Sequence, residues 1–213
     1  MHAEHATHGG GHDDHAHHVG SMQHDFSDVA RFEAMFESPD RAGWQRPVEV
    51  VAMLELEQGQ TVVDLGTGTG YFLPFLSVAV GPRGYVIALD TESAMIDHVR
   101  ARAEREGIAN VEAHVVGPDD PGLANESVDR VLVVNTWHHL SERGAYAARL
   151  RAALRPGGAI VVVDFTAEAS QGPPVSERIA PETVAVELAG AGLVTAVLDE
   201  RLPDQYVVRG RLP

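Results

Sequence analysis

Residues 62–70 read Val-Val-Asp-Leu-Gly-Thr-Gly-Thr-Gly, and Asp90 closes the next apolar run. No other stretch restricts the fold of this chain so strongly. Three alternating glycines stand just after a strand-like run and just before a helix-like one. Glycine has no Cβ and tolerates positive φ, so such a turn brings backbone close to a ligand. An acidic residue at the tip of the neighbouring strand can accept both hydroxyls of a ribose. Together they predict a nucleoside-containing cofactor at the carboxyl edge of a parallel sheet.

The glycine spacing narrows this reading. A dinucleotide fingerprint is G-x-G-x-x-G, and its third glycine would fall at Tyr71. The pyrophosphate-binding form is therefore not matched. The other reading of Gly66, Gly68 and Gly70 is a turn that only packs helix on strand, but Asp64 and Asp90 also stand where a ligand needs them.

Around the motif the pattern alternates strand and helix. Strand-like runs cover 61–65, 84–90, 111–116, 128–135 and 158–164; helix-like runs cover 71–79, 92–106, 142–154 and 179–190. Continuous apolar runs such as Val131–Val134 and Ile160–Val163 suit strands covered on both faces, as in parallel sheets. Arg155-Pro156-Gly157-Gly158 reads as a stop and turn. The stretches 193–200 and 205–210 leave no room for a crossover helix, so they predict an antiparallel hairpin. Upstream, Ser27 caps an expected helix over 27–36, Ser38-Pro39-Asp40 breaks it, and Pro47 starts a second helix running to Gln58-Gly59. Residues 165–178 form a turn-rich linker.

The first 24 residues differ from the rest. They hold eight of the 12 histidines, and almost nothing apolar, so they are expected to be disordered. Imidazoles at i, i+3 near Asp13 and Asp14 suit loose binding of Zn, Ni, Cu or Co. A low-complexity end and a purification tag are the other readings, and no metal site is assigned. The expected organisation is this tail followed by one domain over 25–213, whose residues 25–58 supply lid helices.

Composition removes several chemistries. The 213 residues carry a formal charge of −15, which argues against a nucleic-acid partner. All 16 basic residues are Arg, so a P-loop lysine and a Schiff-base lysine are ruled out. The absence of Cys rules out thiol nucleophiles and thiolate metal sites. No run approaches the roughly 18 apolar residues of a membrane span, and no secretory h-region is evident, so a cytoplasmic location is expected.

The 62–70 block resembles motif I of the class I S-adenosylmethionine-dependent methyltransferases. The likeness continues through Val86-Ile-Ala-Leu-Asp90, Ser127–Val134 and Leu154–Val163, four blocks in order over about 100 residues. Within that superfamily it is most similar to the ubiquinone/menaquinone-biosynthesis-like and small-molecule enzymes. The resemblance implies a Rossmann-like α/β three-layer sandwich with a mostly parallel seven-stranded sheet. It implies S-adenosyl-L-methionine as cofactor and in-line methyl transfer to a small-molecule acceptor. Gly66, Thr67, Gly68 and Gly70 would pack against its methionine part, with Asp64 ordering the loop. Asp90 would hold the ribose, Thr91 and Met95 would flank the adenine, and the backbone of Asn135 would meet the ammonium. The family often has Gly-Asp after the third strand; here Gly117 precedes Pro118, and Asp119 is the substitute.

Trp137-His138-His139-Leu140 follows the fourth strand, and the family often has a His at the place of His139. Either histidine serves as a general base or as a hydrogen-bonding group that orders the loop, and the residues alone admit both. Asp164 is a further carboxylate of the same kind. Phe32, Phe36 and Trp44 either close over the donor or simply pack their helices. Two other functions compete: a nicotinamide-dependent oxidoreductase, which lacks the required glycine spacing and any Tyr-x-x-x-Lys pair, and a non-catalytic cofactor-fold protein with a metal-binding tail. Arsenite-type methylation relies on Cys in its family, and this chain has none. Acceptor identity and oligomeric state are not legible.

Overall fold

The computed structural model describes residues 29–199 and 202–213. The His-rich tail and Ser27 lie outside them. Seven strands form one sheet in the order β3-β2-β1-β4-β5-β7-β6: β1 Thr61–Leu65, β2 Tyr85–Asp90, β3 Val111–Val115, β4 Val128–Val134, β5 Leu154–Phe165, β6 Val194–Val197 and β7 Gln205–Arg211. Strands β1 to β5 pair in parallel; β7 runs antiparallel to β5 and to β6. The expected Rossmann-like sandwich with an antiparallel C-terminal hairpin is the architecture found.

The apolar runs explain its layers. Leu132, Val134, Val161 and Val163 face one way, with Leu73 and Leu76 of α4 (Leu73–Val80) and Ile96 and Val99 of α5 (Ser93–Glu106). Val131, Val133, Ile160 and Val162 face the other, against Leu150 of α6 (Arg143–Ala153) and Leu188 of α7 (Pro181–Gly190). Both sides of β4 and β5 are thereby removed from water, which is why those strands carry unbroken valine runs. Among the described residues no helix is long and apolar enough to cross a membrane.

Two expectations need correction. The segment before β1 holds three short helices, α1 Val29–Phe36, α2 Arg41–Gln45 and α3 Pro47–Ala52. The second expected helix does start at Pro47 but ends at Ala52 instead of running to residue 58, and the short helix α2 before it was not expected. Arg46 at φ 46° separates α2 from α3, and Glu55 at φ 50° turns the chain away. Arg155-Pro156-Gly157-Gly158 stops α6 but is no turn between elements. Leu154 already pairs with Val128, and the four residues form a bulge where the register shifts between Val128 and Arg130.

Candidate functional site

The crevice lies where the strand order reverses, between β1 and β4, at the carboxyl ends of the parallel strands. This is the topological switch point at which open α/β sheets bind ligands. The amide N–H groups of Gly66 and Thr67 both donate to Leu89 O (2.8 and 3.0 Å), which ties the glycine turn to β2. Gly66, Gly68 and Gly70 have φ of 70°, 53° and 79°.

The two acids stand on either side of this turn. Asp90 Oδ2 accepts the Gly68 N–H at 2.9 Å and Oδ1 accepts the Glu92 N–H at 3.0 Å. Burial pushes its carboxyl above the usual range, offset in part by those backbone donors. Asp64 is buried and accepts the Thr67 hydroxyl at 2.8 Å. Its burial raises the carboxyl from 3.8 to about 6, against the Thr67 hydrogen bond and the charge of Arg41, which lower it.

A carboxyl raised in the folded state binds its proton more tightly there than in the unfolded chain. Stability therefore falls as pH rises through the window from about 4 to about 6, by roughly 2–3 kcal/mol. Asp64→Asn keeps an acceptor for Thr67 and removes the buried charge. Thermal unfolding of the ligand-free variant should occur on the order of 5 °C above wild type at pH 8, with the difference vanishing below pH about 4. A variant less stable than wild type at pH 8 would contradict this account.

The helices before β1 lie across the turn. An added Cβ on Gly68 would touch the Phe36 ring at 3.6 Å. Thr69 Oγ1 donates to Glu37 Oε1 at 2.7 Å, and Arg102 of α5 bonds the same oxygen at 2.6 Å. Further along, Gln45 Nε2 donates to Gln205 Oε1 at 2.6 Å and Gln205 Nε2 to Asn135 Oδ1 at 2.5 Å. Trp44 packs on Phe165 with ring centroids 6.0 Å apart. Phe36 and Trp44 thus reach the crevice edge.

The two histidines separate sharply. His138 Nδ1 lies 2.9 Å from both oxygens of Asp164, with side chains 4% and 3% exposed. His139 is exposed, its ring 4.1 Å from that of His138. A carboxylate only accepts, so Nδ1 carries the proton and Nε2 of neutral His138 is left as an acceptor. Asp164 also accepts the backbone N–H groups of Phe165 (2.9 Å) and His138 (3.3 Å). Behind this pair, Glu187 of α7 receives Trp137 Nε1 and Arg143 Nε, both at 2.8 Å.

Other expected residues are less involved. Thr91 and Asp119 are exposed, and Asp119 accepts the Ser141 hydroxyl at 3.5 Å. Met95 is buried in the first turn of α5. Asn135 stands at φ 54°, and its N–H is spent on Val163 O, so only its carbonyl is left to meet an ammonium. The residue reading passed over Arg41, Glu37, Arg102, Gln45 and Gln205, which carry no motif. It also passed over Arg178, whose guanidinium donates to the carbonyls of Thr166, Ala167, Ala169, Gln171 and Pro173 and so orders the linker after β5. A surface cavity of about 370 Å³ lies at the far end of α5, lined by Arg100, Glu104, Gly107, Ile108 and Val111; none of the glycine turn, Asp64 or Asp90 lines it, and it is not the site. Among the described residues no group of three or more His, Asp or Glu side chains is placed to hold a metal.

Sheet order, glycine turn and acidic strand tip define a nucleoside-cofactor fold of the Rossmann-like kind. Comparison with known proteins narrows the class. A methyltransferase-domain family model matches residues 62–158. The chain is 30% identical over 152 residues to an arsenite methyltransferase of Halobacterium salinarum, covering 70% of this chain and 38% of that protein. It is 26% identical over 117 residues to a ubiquinone/menaquinone biosynthesis C-methyltransferase of Coxiella burnetii, covering 54% of this chain and 47% of the relative. The chain thus spans less than half the length of these relatives. It matches the whole of a SAM-dependent methyltransferase from Aquifex aeolicus, with a TM-score of 0.81 and 27% identity over 90% of this chain. In sequence and fold the chain is thus similar to the class I S-adenosylmethionine-dependent methyltransferases, whose cofactor is S-adenosyl-L-methionine.

Proposed function

We propose that this chain is an S-adenosylmethionine-dependent methyltransferase acting on a small molecule. The observation that carries this reading is the arrangement of Asp90 and the glycine turn. Asp90 binds Gly68 through one oxygen and Glu92 through the other, so the ribose-binding acid and the close-approach loop are one hydrogen-bonded unit. Each carboxylate oxygen keeps a lone pair for a vicinal hydroxyl. The turn at Gly66–Gly70, whose three glycines carry no Cβ, faces the amino-acid tail of the cofactor, and Asp64 beneath it answers the ammonium through Thr67 or backbone. Met95 borders the adenine; Thr91 and Asp119 contribute less, being exposed.

When bound, the cofactor supplies an electrophilic methyl group on sulfonium, and its displacement needs alignment more than covalent help. Alignment and water exclusion account for about 7–11 kcal/mol of such a barrier. Phe36, Trp44 and the Gln45–Gln205–Asn135 amide chain serve that purpose by covering the crevice. His138 accepts the acceptor's proton through Nε2, held in its tautomer by Asp164. His139 is exposed, so its imidazole is open to solvent and is the poorer base. The shared fold gives no support to a nicotinamide reaction, since Tyr71 replaces the third fingerprint glycine.

Calorimetry with S-adenosylhomocysteine tests the assignment, and a folded chain that binds none of it would sink the idea. For the base, His138→Gln should retain that affinity within about threefold. It should lower turnover by about 10²–10⁴-fold across a panel of phenols, amines and thiols followed by S-adenosylhomocysteine release. Loss of binding and turnover together would mean that His138 only orders the loop.

A further inference from the structure

We propose that Arg41 is the receptor for the carboxylate of the cofactor's amino-acid tail. This inference rests on the cofactor reading above and adds a residue that no motif contains.

Arg41 opens α2, and its guanidinium lies within a ring of aromatic faces. Its carbon is 3.9 Å from the Tyr71 centroid, and 5.9, 5.9 and 6.0 Å from those of Phe36, Trp44 and Phe72. Cation–π attraction holds a guanidinium in such a place but does not use its N–H groups. Of its five donors, Nη1 gives one hydrogen bond to Phe36 O at 2.7 Å and Nη2 a long one to Gln45 Oε1 at 3.4 Å. Nε is buried and has no partner among the described residues.

Nor does any described carboxylate come within ion-pair distance of it. The nearby acids are committed: Glu37 to Thr69 and Arg102, Asp64 to Thr67. Burial lowers the guanidinium from 12.5 to about 10, so it is still a cation at neutral pH. A partly buried cation with spare fork donors and no counter-anion among the described residues is costly to fold and well suited to bind one.

Its position selects the anion. Two residues of the aromatic ring follow Gly70 directly, and a third, Phe36, lies over Gly68. Arg41 therefore stands beside the turn, among the rings that cover Gly68 and follow Gly70. A nucleoside held at Asp90 and extended along the turn ends there in its amino-acid tail. That tail is a zwitterion. Asp64 and Arg41, of opposite charge and near enough to shift each other's titration, form a bipolar pair that matches it. An acidic acceptor would be the other source of a carboxylate, and the ligands below separate the two.

The test compares S-adenosylhomocysteine with 5′-methylthioadenosine, which keeps the nucleoside and thioether but has no amino-acid tail. Arg41→Met fills the same aromatic space without charge. By calorimetry on the full chain it should weaken S-adenosylhomocysteine by about 10–100-fold and leave 5′-methylthioadenosine within about twofold, with Arg41→Lys between the two. Equal weakening of both ligands would make Arg41 a packing residue of the lid, and unchanged affinity for S-adenosylhomocysteine would exclude the carboxylate; either overturns the proposal. A wild-type chain that binds neither ligand would sink the cofactor reading, and this assignment with it. Unfolding temperature, read in parallel, should stay within a few degrees of wild type.

Discussion

Asp90→Ala should lower affinity for S-adenosylhomocysteine by at least about 100-fold, as measured by calorimetry. Two losses add. The first is the pair of hydrogen bonds to the ribose hydroxyls, each about 1.5–3 kcal/mol when the acceptor is charged. The second is the order of the loop, since Asp90 holds the Gly68 N–H at 2.9 Å and the Glu92 N–H at 3.0 Å. Without it the turn must reassemble on binding, at the expense of ligand affinity. About 3 kcal/mol in total already corresponds to two decades of dissociation constant. Asp90→Asn retains one oxygen acceptor and should fall between. An alanine variant that binds within tenfold of wild type would remove Asp90 from the site.

Gly66→Ala should be the more damaging to the fold. An alanine Cβ there would stand 2.2 Å from Thr136 Oγ1, 2.4 Å from its Cγ2 and 2.8 Å from its Cβ. Thr136 is β-branched and its hydroxyl donates to Val134 O, so it has no easy retreat. The backbone is also at φ 70°, which costs an L-residue about 1–2 kcal/mol. Crowding of a packed site adds about 1–3 kcal/mol, so a decrease of roughly 6–15 °C in unfolding temperature is expected, with loss of cofactor binding. Gly68→Ala provides the contrast. Its Cβ would meet only the Phe36 ring at 3.6 Å, an ordinary contact, so it bears the backbone strain alone. The two variants unfolding at the same temperature would refute the steric argument.

The sheet and the glycine turn with its two acids were legible from residue order. Alternating apolar runs located β1 to β5 to within a few residues, because strands buried on both faces must be apolar throughout. Glycines at 66, 68 and 70 fall where φ is positive, and Asp64 and Asp90 fall at strand ends, because these requirements are local to the backbone. The misreadings are equally physical. Arg46 and Glu55 adopt left-handed conformations that their side chains do not advertise, so the helices before β1 came out too few and too long. Arg155–Gly158 carries turn residues, yet the pairing of Leu154 with Val128 makes it a bulge.

The rest depended on contacts between distant residues. Periodicity could not tell His138 from His139, which are neighbours in sequence; only the carboxylate of Asp164, 26 residues on, makes one buried and paired and leaves the other exposed. Arg41 reads as one surface arginine among 16 until Phe36, Trp44, Tyr71 and Phe72 close around it. Local chemistry, written in φ-tolerance and apolar period, determined the sheet, the glycine turn and the two acids at the strand ends. Tertiary structure decided which histidine is held by a carboxylate and where an arginine with no carboxylate in ion-pair distance among the described residues meets four aromatic rings. Those properties belong to the desolvated space between elements and to no single segment of the chain.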